Sequence, residues 1–125
     1  MSQPNAELIR ALEQFNRGEY WEQHETLETL WRAERDEAMR GFYKGILQTG
    51  VGFYHITRRN YAGAVKVLGR GVGYLRRYAP WCQGVDVAQL IAESTQVLER
   101  LHALGATRIA EIDVNQLPRV HYRVE

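Results

Sequence analysis

The sequence predicts an all-α fold, a helical bundle closed by a short extended C-terminal tail. Three observations carry this reading. Apolar residues recur three and four positions apart along most of the chain up to Leu104. Asp36, Asn60 and Asp86, all of them residue types that cap helix N-termini, stand just ahead of three of these periodic stretches. Alternation of apolar and polar residues enters only at the end, in VHYRVE, residues 120 to 125.

Taken in order, Leu8, Leu12 and Phe15 predict a first helix over about residues 5 to 17, ended by Asn16 to Gly18. A second helix starts near Tyr20. Its positions 20, 24, 27 and 31 form one stripe about 80° wide at 100° per residue, occupied by Tyr20, His24, Leu27 and Trp31. Asp36 caps a third helix running to about Arg58. That helix carries one stripe of Phe42, Ile46, Phe53 and Ile56 and another of Tyr43, Leu47, Val51 and Tyr54. Apolar character over most of a circumference marks a central helix, and here the remaining ridge holds Lys44, Gln48 and His55. Asn60 caps a fourth helix with Tyr61, Ala64, Val65, Leu68, Val72 and Leu75 at amphipathic spacing. APWCQGVD, residues 79 to 86, reads as a loop, and Asp86 as the N-cap of a fifth helix through Leu90, Leu98 and Leu104, closed by Gly105. The domain division expected is a bundle over residues 1–104 and a tail over residues 105–125, packed on the bundle or on a second subunit.

The bulk properties narrow the function classes. At 125 residues the chain can bury a core without staples. Sixteen Lys and Arg against fifteen Asp and Glu leave a charge of +1, which argues against a dedicated nucleic-acid surface. No apolar run is long enough to cross a membrane, and the N-terminus lacks the pattern of a secretory signal, so a cytoplasmic location is expected. The lone Cys82 makes neither a disulfide, a CxxC pair nor a zinc cluster.

Several motifs dissolve on inspection. Gly69, Gly71 and Gly73 alternate inside a helical pattern with no strand ahead of them, so they do not form a dinucleotide fingerprint. Close helix packing is the expected reason for them, as for Gly41, Gly45, Gly50 and Gly52. NRGEYWEQ (16–23) and TRRNYAGA (57–64) each place an aromatic, Tyr20 or Tyr61, just after a turn. They suggest two similar helical hairpins at a spacing of 41, not a 34-residue tetratricopeptide repeat.

One constellation remains, in EQHETLETLW, residues 22 to 31. His24 stands in the apolar stripe, and Glu28 lies one turn later, about 40° round the helix. An imidazole and a carboxylate at i and i+4 are a two-donor platform for zinc, manganese or iron, or an oriented base. Glu25 and Glu22 point further toward water. HETLE has glutamate where the zinc-protease motif HExxH needs its second histidine, so that reading fails. A third ligand would have to come from another helix, with His55 the weaker metal candidate and Gln48 and Tyr54 as pocket residues beside Trp31.

With these residues in hand, the chain resembles the DUF309 family of small bacterial and archaeal proteins. The resemblance covers about residues 7 to 92 and rests on FNRGEYWEQHETLETLWR (15–32), GFYKGILQTGVGFYHITRRNYAGAVKVL (41–68) and GVDVAQLI (84–91). The family pattern H-x-x-x-E-x-x-[WY] is matched by His24, Glu28 and Trp31. The resemblance implies an up-and-down bundle of four to five helices and a divalent metal at this pattern, with no established activity.

Two functions follow as expectations. In the first, His24 and Glu28 hold a divalent metal in a polar pocket, with metal-assisted hydrolysis as the class of chemistry and no other cofactor. In the second, two tetratricopeptide-like hairpins form an interaction module for a protein or peptide partner, and the His/Glu cluster is structural. A homodimer contact through the tail and an intrachain clasp are both consistent with its alternation.

Overall fold

The protein is described here by a computed structural model over residues 4–124; Met1 to Gln3 and Glu125, the outer ends of the two expected segments, lie outside the described residues. The described residues form a bundle of five α-helices: α1 (Ala6–Asn16), α2 (Tyr20–Ala33), α3 (Glu37–Thr57), α4 (Tyr61–Leu75) and α5 (Val87–Leu104). The caps act where the sequence places them. Asp36 accepts from the Ala38 amide, Asn60 from the Gly63 amide and Asp86 from the Gln89 amide. Asn5 adds a cap on α1, accepting from Leu8 N at 2.7 Å.

Consecutive helices pack on one another, and α3 lies at the centre. Between Met39 and Ile56 it has no fully exposed residue. Opposing contacts run in opposite sequence directions, so neighbours are antiparallel. Against α2, Tyr54 meets Trp21, Leu47 meets Gln23, and Arg40 meets Trp31. Against α4, Gly45 faces Leu75, Thr49 faces Gly71, and Gly52 faces Leu68. The centre of the core is an edge-to-face cluster of three rings from three helices: Phe15, Tyr20 and Phe53, with centroids 5.6 to 5.9 Å apart.

The glycines divide by what they touch. A Cβ at Gly52 would stand 2.9 Å from the Leu68 backbone, and one at Gly71 would stand 2.6 Å from the Thr49 amide, so α3 and α4 approach at backbone distance. Gly45 and Gly50 are closed in by side chains, Leu75 and Gln23 respectively. Gly69 and Gly73 have nothing within 4 Å. Close packing therefore explains Gly71 but not its two neighbours, whose positions on α4 face open space.

The stretch expected as a loop contains a small hairpin, β1 (Trp81–Cys82) paired antiparallel with β2 (Val85–Asp86), reversed through Gln83 and Gly84 at positive φ. The tail is less extended than the alternation suggested. Residues Ala106–Glu111 and Val114–Gln116 form 3-10 turns, and only the last stretch is extended. That stretch pairs with the hairpin: Val85 bridges Tyr122, Asp86 N donates to His121 O, and Arg123 N donates to Gly84 O. Asn16 at the end of α1 holds it from the other side, accepting from Val120 N at 2.7 Å and donating to Val120 O at 2.9 Å. Ile109, Leu117 and Val120 are buried in the same core as the helices.

Candidate functional site

Helix α2 positions the candidate pair, but its buried face is rotated from the one expected. Tyr20 and Leu27 are buried, and so are Gln23 and Thr26. His24 and Trp31 lie at the edge of this face and are only partly buried. The fully buried polar side chain of α2 is Gln23, whose side chain was invisible to pattern reading because residues 20, 23 and 27 share a face as readily as 20, 24 and 27. Gln23 Nε2 donates to the Tyr20 and Leu47 carbonyls at 3.2 and 3.4 Å, and Gly50 leaves the room for it. Thr26 Oγ1 donates to Gln14 Oε1 at 2.8 Å and ties α2 to α1.

His24 Nε2 lies 3.2 Å from Glu28 Oε2, as the i, i+4 spacing requires. The two side chains are 24% and 32% exposed, so both are partly open to solvent. The other Glu28 oxygen is paired with Arg32, a further turn along and 71% exposed. Trp21 stacks on the imidazole with centroids 4.9 Å apart and 29° between planes, and also packs against Tyr54 of α3. The ring of His24 is thus oriented by an indole. Its Nδ1 is buried and has no hydrogen-bond partner, and Gln48 Oε1 on α3 is in the same condition. Among the described residues, every polar contact made by His24 and Glu28 stays within α2, so the pair links no two helices.

The other expected residues are placed as follows. Trp31 is one turn beyond Glu28 and meets the side chains of Arg40 and Lys44 on α3. Tyr54 reaches the site through Trp21. His55 does not join His24. Its Nδ1 lies 3.3 Å from Asn60 Nδ2, and its ring closes over Gly63 at the start of α4. Among the described residues, no group of three His, Cys, Asp or Glu side chains forms a cluster with metal-ligand spacing. Burial pushes the Cys82 thiol up to about 11, which keeps it protonated and a poor nucleophile near neutrality.

The larger concavities lie elsewhere. One of about 570 Å³ runs between α5 and the tail, lined by Glu93, Val97, Arg100, Leu117, Arg119 and His121. The His24–Glu28 pair lies on the flank of α2, outside that concavity.

Residues 8–67, which contain both members of the pair, match the family model described as a domain of unknown function, DUF309. Over those residues the chain is similar to the DUF309 family. The match holds His24, Glu28, Trp31, Gln48, Tyr54 and His55, and ends before α5. The uncharacterised protein YpuF of Bacillus subtilis (strain 168) is 28% identical to this chain over 90 residues. The similarity covers 70% of this chain and 52% of YpuF, so the chain spans about half the length of that relative. None of the helices in the described residues is long and apolar enough to cross a membrane.

Proposed function

We propose that the His24–Glu28 pair is a two-donor seat for a divalent cation of the zinc, manganese or iron kind. The observation that supports it is the pairing itself: imidazole Nε2 and carboxylate Oε2 sit 3.2 Å apart, partly exposed, on a pair that contributes no link between helices. A role in locking two helices together would place at least one of these bonds across a helix interface. The donor set fits the chemistry of these metals, since borderline cations take imidazole and carboxylate together. Two protein donors leave the remaining positions to water or to a ligand. When bound there, such a cation would polarise water or a carbonyl or phosphoryl oxygen, which is the chemistry of hydrolysis.

The chain's own residues have distinct parts in this reading. His24 binds through Nε2, and its ring is held in one plane by Trp21. Glu28 binds through Oε2, and Arg32, exposed and flexible, swings away from the carboxylate or stays on its second oxygen. Trp31 walls the seat on the side of α3.

Protein prepared without a nickel column, stripped with a chelator and dialysed against zinc, manganese or ferrous iron should retain close to one equivalent of at least one metal. His24→Ala should lose it. Glu28→Ala should weaken retention while changing stability little, by about 0.5 kcal/mol or less, because exposed i, i+4 pairs are worth no more than that. Absence of retention by the unaltered protein, or equal retention by His24→Ala, overturns the proposal.

A further inference from the structure

The face of α3 that looks outward between α2 and α4 carries a cationic pair with no adequate counter-charge. Lys44 is partly buried. Its ammonium lies 5.7 Å from the ring centroid of Trp31 on α2 and 5.4 Å from that of Tyr74 on α4. The Arg40 guanidinium, one turn earlier, stands 4.6 Å from the same Trp31 ring. Among the described residues no carboxylate pairs with Lys44. The acid beside Arg40, Glu37, is 4.0 Å away and 90% exposed, so it neutralises little. Glu28, on the neighbouring helix, is already engaged by His24 and Arg32.

Two like charges at i and i+4 repel, and both are drawn partly out of water against aromatic rings. The ring faces return some of that energy as cation–π attraction. They also bring the two cations to the same indole, that of Trp31 on α2. The close approach of α3 to α4 at Gly45, where a Cβ would stand 3.2 Å from Tyr74 Cβ, brings the second ring to Lys44. The arrangement is a preformed half of an ion pair whose other half is absent among the described residues.

We infer that Arg40 and Lys44, set against Trp31 of α2 and Tyr74 of α4, bind an anionic group of a small ligand, a phosphate or a carboxylate. Arg40 offers a planar fork that suits either group bidentately, and Lys44 offers a point charge beside it. The site does not depend on a metal at His24 and Glu28. It lies one helical turn from that pair through Trp31, so a ligand held by its anionic end here would extend toward the pair.

The test is performed on chelator-treated protein, so that it succeeds or fails separately from the metal proposal. The Trp31 indole N–H resonance is followed by two-dimensional NMR during titration with inorganic phosphate, pyrophosphate, acetate or citrate, at constant ionic strength maintained with chloride. Saturable movement with the phosphates or with the carboxylates is expected, and whichever series saturates at lower concentration names the group. Lys44→Gln should weaken it at least tenfold, and Arg40→Gln should weaken it to a lesser degree. Arg119→Gln, in the separate concavity beside α5, should leave it unchanged. Failure of every anion to saturate the Trp31 signal at millimolar concentration overturns the inference. So does equal affinity in a folded Lys44→Gln protein, or a loss in Arg119→Gln as large as that in Lys44→Gln.

Discussion

Phe53→Ala should lower the stability of the fold by about 3–5 kcal/mol, a large part of the roughly 5–15 kcal/mol that holds a domain together. Phe53 is completely buried and meets Phe15 of α1 and Tyr20 of α2 edge to face. Its loss removes the shared contact of three helices and leaves a cavity that their rigid backbones cannot close. Burial pushes the ionisation of the Tyr20 hydroxyl up to about 12. Urea denaturation measures the effect: the midpoint should fall sharply, with the slope little changed. A loss below about 1 kcal/mol would show that the three rings are not the core's centre.

Gly52→Ala should cost about 1–3 kcal/mol, and Gly69→Ala, on the helix opposite, should be neutral or stabilising by up to about 1 kcal/mol. The contrast separates two causes that look alike in sequence. At Gly52 the added methyl meets the Leu68 backbone at 2.9 Å, and no side-chain rotation relieves a clash with main chain. At Gly69 the methyl meets nothing, and the helix gains the propensity of alanine. Parallel urea titrations of the two variants check this. Equal effects of the same sign would contradict the backbone-distance packing of α3 on α4.

The helix boundaries were legible because their causes are local. Asp36, Asn60 and Asp86 cap the residues that follow them directly, and Gly105 ends α5 at positive φ. Which face of α2 is buried was not legible to the same degree. Tyr20 and Leu27 belong to either stripe, and the choice between Gln23 and His24 is made by the position of Leu47 and Gly50 on α3. The pairing of His24 with Glu28 is fixed by spacing within one helix and was readable. The separation of His55 from that pair depends on the α3–α4 turn, where Asn60 is close by, and was not. The glycines of α4 show the same limit: Gly69, Gly71 and Gly73 alternate along one helical stretch, and the place of Thr49 distinguishes Gly71. Alternation in the tail marked its last strand-like stretch correctly, but the 3-10 turns ahead of it follow from docking Ile109 and Leu117 into the core, a cause outside their own sequence.

The cationic pair on α3 belongs to the same class of non-local features. Arg40 and Lys44 are an ordinary i, i+4 repeat in sequence, and they acquire meaning only when α2 brings Trp31 and α4 brings Tyr74 to them. The proposed metal seat and the proposed anion seat would share Trp31 as a common wall.

The claim on which the functional account turns is that His24 Nε2 is a metal donor. Long-range proton–nitrogen NMR of the His24 imidazole in chelator-treated protein, followed while zinc is added in steps to two equivalents, tests it directly. The account predicts a displacement of the Nε2 resonance that saturates near one equivalent, with a much smaller change at the buried Nδ1, and a weaker transition in Glu28→Ala. His24 nitrogen resonances that stay in place through excess zinc, and again through excess cadmium as a second diamagnetic probe, would contradict it.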